Sequence, residues 1–534
     1  MLVQSFAIAL LTLPSALSAP VDSTPIAPTS TTPSGTSNDP SAPQVSPNAV
    51  PPPSPLILAL GNFTDLFNSA PLPSRRGLPV EVDFEDLFER DGEEGDESLQ
   101  RRGFVSRMTK QAQIQAQRAL AKTCVGPTSS NFSMDYYISS LFYYGGAGTT
   151  VWLCPNVVIP LTNAIWFTAA SQTLATAGLP TGKTRATLQV TGLNQSCAIY
   201  AQGVPGANNI ALKNVQVDGA RPAMGIIPGG VGNSALIEMG GSTTGHVIDN
   251  VNAFEPRGWS TLHAIEGTGL SCSGMIITNN QIGPAGHAPS GDYQFKKRDN
   301  TGTYTAGQWA DGISMACKES TVSSNTIIDA TDGGIVIFGA PGSQVTGNTV
   351  KSVNRQLMGG INMVDVSFFR VRNELHMVIT NVLRQWGPFS GSFTGTVVSG
   401  NTINAQSNFI KIGIAVGGLV WGVDNRTIAR TYGGTVTNNV FKSSTSTGYF
   451  GYSIGIAGHA NATISGNSAL NANFGSVLSP NCYNFPLPTP QSFVADQWTT
   501  PGSKFQGTFT MSTLVLLICR GPGAIIATRG VGPR

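Results

Sequence analysis

The chain has 534 residues, with 31 Lys or Arg against 29 Asp or Glu, so its formal net charge is only +2. After the first segment, no apolar run reaches the roughly 18 residues that a bilayer-spanning helix needs. No cluster has metal-ligand spacing, and there is no phosphate-binding loop. These features argue against a membrane-spanning protein, a nucleotide-binding enzyme and a metal-centred enzyme.

The first 102 residues have the character of export and processing sequence. Residues 1–19 combine an apolar stretch with a small-residue exit, which is typical of a secretory signal peptide. Residues 20–102 form a Pro/Ser/Thr-rich and acidic propeptide or linker that carries the dibasic pairs Arg75-Arg76 and Arg101-Arg102. Cleavage after the second pair would leave a chain starting near Gly103, and a permanent disordered linker is the alternative. We therefore expect a secreted, extracellular protein.

Removal of this segment changes the charge balance. Residues 1–102 hold 5 Lys or Arg and 13 Asp or Glu, which leaves 26 against 16 and a net charge of +10 on the remainder. A basic secreted domain favours an anionic partner such as an acidic polysaccharide, although a neutral glucan stays open. We expect a polysaccharide substrate, no nucleic-acid or membrane partner, and a monomer.

An Asn-centred phrase in a Gly/Ser/Thr-rich setting recurs eight times along the chain. The intervals between successive Asn residues run from 23 to 53 residues. Repetition at such intervals indicates one supersecondary unit per phrase, with insertions between units. The eight positions are Asn214, Asn250, Asn280, Asn325, Asn348, Asn401, Asn439 and Asn467.

Short runs rich in Val, Ile and Gly precede most of these phrases and are typical of strands rather than helices. They are residues 234–238, 262–265, 312–315, 334–338, 360–363, 410–414 and 452–456. Short strands stacked turn upon turn describe a parallel β-helix, an all-β solenoid, in which equivalent Asn amides hydrogen-bond up the stack. The alternative is an antiparallel β-sandwich, whose strands would be joined by Asn-Gly or Asp-Gly hairpins.

These observations divide the rest of the chain into three parts. Residues 103–189 should hold an N-terminal cap and the first coils, residues 190–476 the β-helix, and residues 477–534 a C-terminal tail or cap. Residues 368–387 lack the texture of the coils and are interpreted as a mis-spliced insertion or an overhanging loop.

Seven cysteines in an exported chain favour disulfides with one sulfur left over. We expect Cys124 to pair with Cys154 and Cys482 with Cys519. Cys197, Cys272 and Cys317 lie in or next to coils and are expected to be packed inside. Sequons for surface N-glycosylation begin at Asn131, Asn194, Asn425 and Asn461.

Polar residues interrupt the strand pattern on two neighbouring coils, in residues 309–315 and 329–337. Here the chain resembles the polygalacturonase-like glycoside hydrolases of family 28, within the pectin-lyase-like superfamily of right-handed parallel β-helices. Asp311-Gly312 matches the first acidic motif of that family, and Asp332 matches the first residue of its following Asp pair. Gly333 replaces the second Asp, and residues 359–361 read Gly-Gly-Ile where the family has Gly-His-Gly.

The resemblance implies a site with two carboxylates, and the geometry of stacked coils predicts the distance between the two residues. Coils ~4.8 Å apart and a one-residue offset of ~3.3 Å place the Cα atoms of Asp311 and Asp332 ~6 Å apart. That value falls between the carboxylate separations typical of retaining and inverting glycosidases. Both acids face one groove only if Asp332 lies in the turn entering its strand or if Gly333-Gly334 forms a bulge.

We assign Asp332 as general acid and Asp311 as general base, with Asp365 as a candidate third catalytic residue. Turn capping is the alternative for Asp329 and Asp332. Candidate substrate-binding residues are Trp309, His263, Glu266, Lys318 and Arg355, with Arg257 and Trp259 nearby. The alternative for each aromatic residue is packing of a loop against the solenoid, and for each basic residue it is a solvated surface charge. For His263 the alternative is a half-buried structural histidine.

The expected function is a secreted polysaccharide-degrading enzyme, a glycoside hydrolase acting on a cell-wall, pectic or otherwise acidic, glycan without a cofactor. One alternative is a pectate-type polysaccharide lyase, which would use Lys318 or Arg355 as base and often needs calcium. A third is a non-catalytic β-helix that binds glycan or serves at the cell surface.

Overall fold

Three parallel β-sheets run side by side through the structure, and most turns of chain contribute one strand to each sheet. The computed structural model describes residues 124–127, 133–202, 204, 206–227, 234–286, 309–364, 391–421, 431–478, 492–512, 520–526 and 528–529. The segments from 1 to 123, Asp365, residues 368–387, Cys482, Cys519 and the sequons at Asn131 and Asn425 lie outside these residues. The predicted right-handed parallel β-helix is confirmed, and the antiparallel sandwich is not observed.

The strands of the three sheets follow one another in strict rotation. Sheet 1 comprises β1 (Thr150–Leu153), β4 (Thr173–Thr176), β7 (Ala211–Lys213), β10 (Val247–Asp249), β13 (Ile276–Thr278), β16 (Thr321–Ser323), β19 (Gln344–Thr346), β22 (Val397–Ser399), β26 (Thr435–Thr437), β30 (Thr463–Ser465) and β34 (Lys504–Phe505). Sheet 2 comprises β2 (Val158–Leu161), β5 (Ala186–Val190), β8 (Val215–Asp218), β11 (Asn252–Phe254), β14 (Gln281–Ile282), β17 (Thr326–Ile328), β20 (Thr349–Lys351), β23 (Thr402–Asn404), β27 (Val440–Lys442) and β31 (Ser468–Asn471).

Sheet 3 contains the longest strands and the candidate site. It comprises β3 (Ile165–Trp166), β6 (Ile199–Ala201), β9 (Ile237–Gly240), β12 (Ser260–Ile265), β15 (Asp311–Met315), β18 (Gly333–Phe338), β21 (Leu357–Val364), β24 (Phe409–Val416), β28 (Tyr449–Ile456), β32 (Asn473–Leu478), β33 (Phe493–Asp496), β35 (Thr510–Ser512), β36 (Arg520–Ile526) and β37 (Thr528–Arg529). Strands β36 and β37 pair antiparallel with β32. A separate pair joins β25 (Thr431–Tyr432) and β29 (His459–Ala460).

Helix α1 (Met134–Gly145) covers the N-terminal end of the solenoid, since it contacts β1, β2 and β3 of the first coil. Its apolar face buries Ile138 and Phe142, and the Phe142 ring stacks on Phe167 with centroids 4.6 Å apart. Such a cap removes the exposed strand edges that a solenoid otherwise leaves at its end. The other helical turns of the described residues are α2 (Arg221–Met224) and 3-10 turns at Thr268–Leu270 and Gly418–Val420. No helix of the described part is long and apolar enough to cross a membrane.

The interior is filled by apolar columns that pass from coil to coil. On sheet 2, for example, Ile282, Ile327, Val350, Ile403 and Phe441 are fully buried and in register. Most three-residue strands of sheets 1 and 2, such as β17 and β19, bury only their central side chain, which is the expected period of two. The recurrent apolar runs identified in the sequence form the strands of sheet 3 from β9 to β28.

A ladder of six Asn residues stands at the corner between sheets 1 and 2. From Asn280 to Asn439, each main-chain N–H and each Nδ2 donate to the Oδ1 of the ladder Asn one coil further on, at 2.9–3.0 Å. The second Nδ2 hydrogen is donated to a main-chain carbonyl, as from Asn348 to Val322. The members are Asn280, Asn325, Asn348, Asn401, Asn439 and Asn467, and Gln506 accepts the last pair of bonds.

Two of the eight predicted positions, Asn214 and Asn250, do not belong to the ladder. They have φ values of 52° and 54° and stand in register with Asn279, the residue immediately before the ladder. This preceding position is left-handed on every coil of the ladder, where Gly, Ser or Asn occupies it. Asn tolerates that conformation better than most residues. Val215 and Val251 therefore hold the ladder position on the earlier coils.

The disulfide Cys124–Cys154 is present, as predicted. Cys272 and Cys317 form a second disulfide, so the expectation that they are merely packed inside is wrong. The parallel bridge between Ser273 and Lys318 brings these cysteines into adjacent coils with Cα atoms 4.8 Å apart. Among the described cysteines, Cys197 alone is free.

The adjacent residues Asn438 and Asn439 give a direct test of the ladder. Replacing Asn439 with Gly leaves the main-chain N–H and Nδ2 of Asn401 without an acceptor. We expect Asn439→Gly to lower the free energy of unfolding by at least about 3 kcal/mol, because each unsatisfied buried donor costs about 1–3 kcal/mol. Asn438→Gly should cost less than about 1 kcal/mol, since Gly adopts a left-handed conformation readily. Equal losses in denaturant titrations of the two variants would contradict the role of the ladder.

Candidate active site

Sheet 3 has a local geometry that sets the spacing of its outward residues. An added Cβ at Gly312 would lie 2.8 Å from Ile327 Cγ2 of the core, so Gly312 faces inward, and its neighbour Ile313 is also a core residue. Gly334 and Gly360 repeat this arrangement on the next two coils. Because two consecutive positions face inward, the outward positions on either side of them are three residues apart. Asp311 and Ser314 are such a pair.

Asp311 opens β15 and is fixed by two hydrogen bonds to its carboxylate. Ser314 Oγ donates to Oδ2 at 2.8 Å, and the main-chain N–H of Gly333 on the next coil donates to Oδ1 at 2.8 Å. Ser260, in register with Asp311 on the preceding coil, places its hydroxyl 2.9 Å from that of Ser314. Burial raises the pKa of Asp311, while these hydrogen bonds act in the opposite direction because they stabilise the anion.

Asp332 immediately precedes β18 and has a contrasting environment. It is 2% exposed, and its Oδ1 has no hydrogen-bond partner. Burial, reinforced by the negative charge of Asp311, raises the pKa of Asp332 well above its ordinary value. We therefore expect Asp332 to keep its proton to higher pH than Asp311 does.

The register agrees with the offset deduced from the sequence. Ile313 pairs with Ile335, so Asp311 lies opposite Gly333, and Asp332 is one residue earlier, before its strand begins. Turn capping was the alternative role for Asp329 and Asp332, and Asp329 has that role. Its carboxylate accepts hydrogen bonds from the main-chain N–H groups of Val353, Asn354 and Arg355. The unpartnered Oδ1 of Asp332 distinguishes it from such a cap.

The coil before Asp311 contributes a buried polar group. The edge of the Trp259 ring packs against His263, with centroids 4.8 Å apart, and His263 Nδ1 lies 3.8 Å from Glu238 Oε2. Glu266 is 1% exposed, and neither of its carboxyl oxygens has a partner on another residue. Burial, with a further contribution from the charge of Glu238, raises the pKa of Glu266 to about 8.

Two candidate substrate-binding residues have structural partners instead. Arg355 forms an ion pair with Glu255 and donates to the carbonyl of Gly286 at 2.6 Å. Lys318 is half-buried, and its main chain forms an isolated parallel bridge with Ser273 on the preceding coil. Arg257 likewise donates to the main-chain carbonyls of residues 192, 195, 224 and 225. Trp309 is half-buried two residues before Asp311, and Asp365 lies outside the described residues.

Asn362 is a site residue that the sequence analysis missed. Its Nδ2 and Oδ1 have no hydrogen-bond partners although the side chain is fully buried. An added Cβ on Gly333 would lie 3.0 Å from both Asn362 Nδ2 and Asp311 Oδ1, so Asn362 and Asp311 flank the same glycine. The signal in the sequence was a single polar residue within the apolar run of β21.

Lys411 is the second missed residue. It is 1% exposed within β24, and its register places it two coils beyond Asp332, with Met358 between them. Burial lowers the pKa of Lys411 to about 7. A lysine between two isoleucines in a strand was the corresponding signal in the sequence.

No protein-family model matches the chain, and no curated protein matches it. Among solved structures, the catalytic domain of Agl-KA is 16% identical, with a TM-score of 0.36, over 72% of this chain and 66% of its own. The surface protein and adhesin PfbA of Streptococcus pneumoniae is 12% identical, with a TM-score of 0.40, over 74% of this chain and 97% of its own. A family GH87 α-1,3-glucanase from Streptomyces thermodiastaticus is 12% identical, with a TM-score of 0.29, over 74% and 69%. At these TM-scores the similarities carry no argument about function, and membership of family 28 stays a prediction.

The raised pKa of Glu266 gives a testable dependence of stability on pH. An unfolded Glu ionises near its ordinary pKa of 4.5, whereas the folded group keeps its proton until about pH 8. Between these values the folded state binds the extra proton, so the contribution of Glu266 to stability is most favourable below about pH 4.5 and falls as pH rises to about 8. In the parent, the free energy of unfolding should fall by a few kcal/mol across this window, at about 1.4 kcal/mol per pH unit. In Glu266→Gln this fall should be absent. Denaturant titrations of the parent and Glu266→Gln at several pH values measure this, and identical pH slopes would contradict it.

Proposed function

We propose that the chain is a carbohydrate-active enzyme, a glycoside hydrolase with Asp332 as general acid and Asp311 as general base. The observation that supports this most is the contrast between the two neighbouring buried carboxyl groups. Asp311 accepts two hydrogen bonds that stabilise its anion, while Asp332 Oδ1 has none. Acid and base catalysis by a carboxyl pair requires such a difference in environment.

The proposed reaction follows from these protonation states. Asp332 donates its proton to the glycosidic oxygen as the bond to the anomeric carbon breaks. The Asp311 carboxylate removes a proton from the attacking water, so the product sugar has the inverted configuration. Ser314 and the Gly333 N–H hold the Asp311 carboxylate in place during this transfer. A proton magnetic resonance spectrum of the first product distinguishes inversion from retention.

Glycine residues lie between the two polar side chains of this site. Gly333 and Gly359 are in register on neighbouring coils, and neither places a side chain between Asp311 and Asn362. Glycine allows a ligand to approach the main chain closely. The amide of Asn362 then offers one donor and one acceptor to sugar hydroxyl groups, which would satisfy its buried polar atoms.

Lys411 supports a second candidate function, a polysaccharide lyase. A lyase abstracts the proton beside a uronate carboxyl group, which requires a neutral base. Because burial lowers its pKa to about 7, Lys411 is deprotonated more readily than an ordinary lysine. Unsaturated products that absorb in the ultraviolet would favour this function over hydrolysis.

The carboxyl pair is tested by product formation. We expect release of reducing ends from at least one of polygalacturonate, pectin, rhamnogalacturonan, and fungal or plant glucans. Asp311→Asn and Asp332→Asn should each lower kcat by at least about 100-fold, as expected for removal of a general acid or base. Asp249→Asn, a half-buried carboxylate on sheet 1, should leave kcat unchanged. Activity unaffected by either site variant would refute the assignment, and absence of product from every glycan would refute the hydrolase.

Asn362 is tested by separating activity from stability. Asn362→Leu removes two unsatisfied buried polar atoms, so we expect the free energy of unfolding to rise by about 1–2 kcal/mol. The same change should lower kcat/KM by at least about 10-fold through lost contacts with substrate hydroxyl groups. The control is Asn404→Leu, at a position on sheet 2. This change removes the hydrogen bonds between Asn404 and Ser444 and should reduce stability without changing kcat/KM. Full activity of Asn362→Leu would contradict this role.

A further inference from the structure

A chain of three buried oxygen–oxygen contacts begins at the Asp311 carboxylate. Ser314 Oγ lies 2.8 Å from Asp311 Oδ2, and Ser260 Oγ lies 2.9 Å from Ser314 Oγ. The chain ends at the main-chain carbonyl of Leu262, 3.0 Å from Ser260 Oγ. All three distances are those of O–H···O hydrogen bonds. Both serine side chains are fully buried, so bulk water does not compete for their hydrogens.

The number of hydrogens in this chain depends on the protonation state of Asp311. Each serine hydroxyl has one hydrogen, whereas an ionised carboxylate and a carbonyl have none to donate. With Asp311 ionised, the three contacts therefore share two hydrogens. Ser314 donates to the carboxylate, and Ser260 donates either to Ser314 or to Leu262. One contact consequently lacks a hydrogen in this state.

A single proton on Asp311 Oδ2 supplies the missing hydrogen. Asp311 would then donate to Ser314, and Ser314 to Ser260. Ser260 would donate to the carbonyl of Leu262, so that each contact has one hydrogen. The other carboxyl oxygen has no equivalent route, because Oδ1 accepts the main-chain N–H of Gly333, a group that can only donate. The contacts therefore favour Oδ2 over Oδ1 as the atom that holds a proton.

We propose that Ser314 and Ser260 form a proton-accepting chain for Asp311. When Asp311 removes a proton from the attacking water, Oδ2 keeps that proton and both hydroxyl groups reverse their direction. The proton lost by water is the one held on Oδ2, so no other donor or acceptor is required. Ser260 is a positioning residue, because it contacts Ser314 and Leu262 rather than the carboxylate. The use of this chain in catalysis rests on the proposed function, whereas the count of hydrogens does not.

The two serines should change proton binding by Asp311 in opposite directions. Ser314→Ala removes a hydrogen bond that is stronger to the anion than to the neutral acid, so it should strengthen proton binding. Ser260→Ala leaves the Ser314 hydroxyl without its acceptor only when Asp311 is protonated, since Ser314 otherwise donates to the carboxylate. Ser260→Ala should therefore weaken proton binding. A serine that only supported the anion would have the opposite effect, and one that only filled space would have none.

Thr261 provides a matched control. It is fully buried beside Ser260, and its hydroxyl donates to the main-chain carbonyl of Asp311 at 3.2 Å rather than to the carboxylate. Thr261→Val therefore removes a buried hydroxyl that bonds to the same residue but lies outside the chain. The titratable groups that act on Asp311 in the described part of the structure are Asp332 and His263. All compared variants carry Asp332→Asn and retain His263, so that Asp311 titrates without a coupled acid.

Proton binding is measured by carbon-13 magnetic resonance of the aspartate carboxyl carbons across a pH series. The signal of Asp311 is the one that disappears in Asp311→Asn. We expect about ten-fold weaker proton binding in Ser260→Ala, because an unsatisfied buried donor costs about 1–3 kcal/mol. The titration midpoint should move to lower pH in Ser260→Ala and to higher pH in Ser314→Ala, and stay at the parental value in Thr261→Val. A midpoint in Ser260→Ala that rises, or that equals the midpoint of Thr261→Val, would overturn the chain.

Kinetics with Asp332 intact separate this inference from the hydrolase proposal. The acidic limb of kcat/KM against pH reports the free enzyme's base, so it should also move to lower pH in Ser260→Ala. The expected carbon-13 shifts without product from any glycan would support the chain and refute the hydrolase. Unchanged carbon-13 midpoints in an active hydrolase would overturn the chain and leave the hydrolase standing.

Discussion

The structure depends on a repeated pair of hydrogen bonds to one amide oxygen. In the ladder, each Asn Oδ1 accepts both the main-chain N–H and the Nδ2 of the Asn on the preceding coil. The buried amides are thereby satisfied, and a slip by one residue between coils would break both bonds at once. This constraint fixes the register of successive turns. The alignment of columns on sheet 3, including Asp311 beside Asp332, follows from it.

The candidate site shows how a shared departure from regular strand geometry creates chemistry. In a regular strand, Asp311 and Ser314 would point to opposite faces. The inward pair Gly312 and Ile313 brings them to the same face, where Ser314 donates to Asp311. The same departure leaves Gly333 and Gly359 beneath Asn362. Unsatisfied buried polar atoms at one place are typical of functional sites.

Much of the fold could be predicted from the sequence because repetition and hydrophobic period are local signals. The Asn phrase located the coils, and the one-residue offset expected between Asp311 and Asp332 agrees with the observed register. The phrase did not separate Asn214 and Asn250 from the ladder, since the left-handed corner and the ladder position both accept Asn and are adjacent. The pairing of Cys272 with Cys317 depends on the register between coils, and no local pattern encodes it. Asn362 and Lys411 were missed because a polar residue within an apolar run has no distinctive spacing.

Gln506, which accepts the hydrogen bonds from the last Asn of the ladder, has a consequence for self-association. Gln506 accepts the bonds from Asn467, but its longer side chain also turns its Nε2 back to donate to the Asn467 carbonyl and to Thr508. An Asn at this place would present an amide to whatever coil came next, including one from another molecule. The extra methylene instead directs the donors within the chain, so the ladder ends in a closed loop of hydrogen bonds. At its other terminus the ladder begins inside the solenoid, where Asn280 Oδ1 accepts the main-chain N–H of Val251, so neither terminus of the ladder offers a template for end-to-end polymerisation.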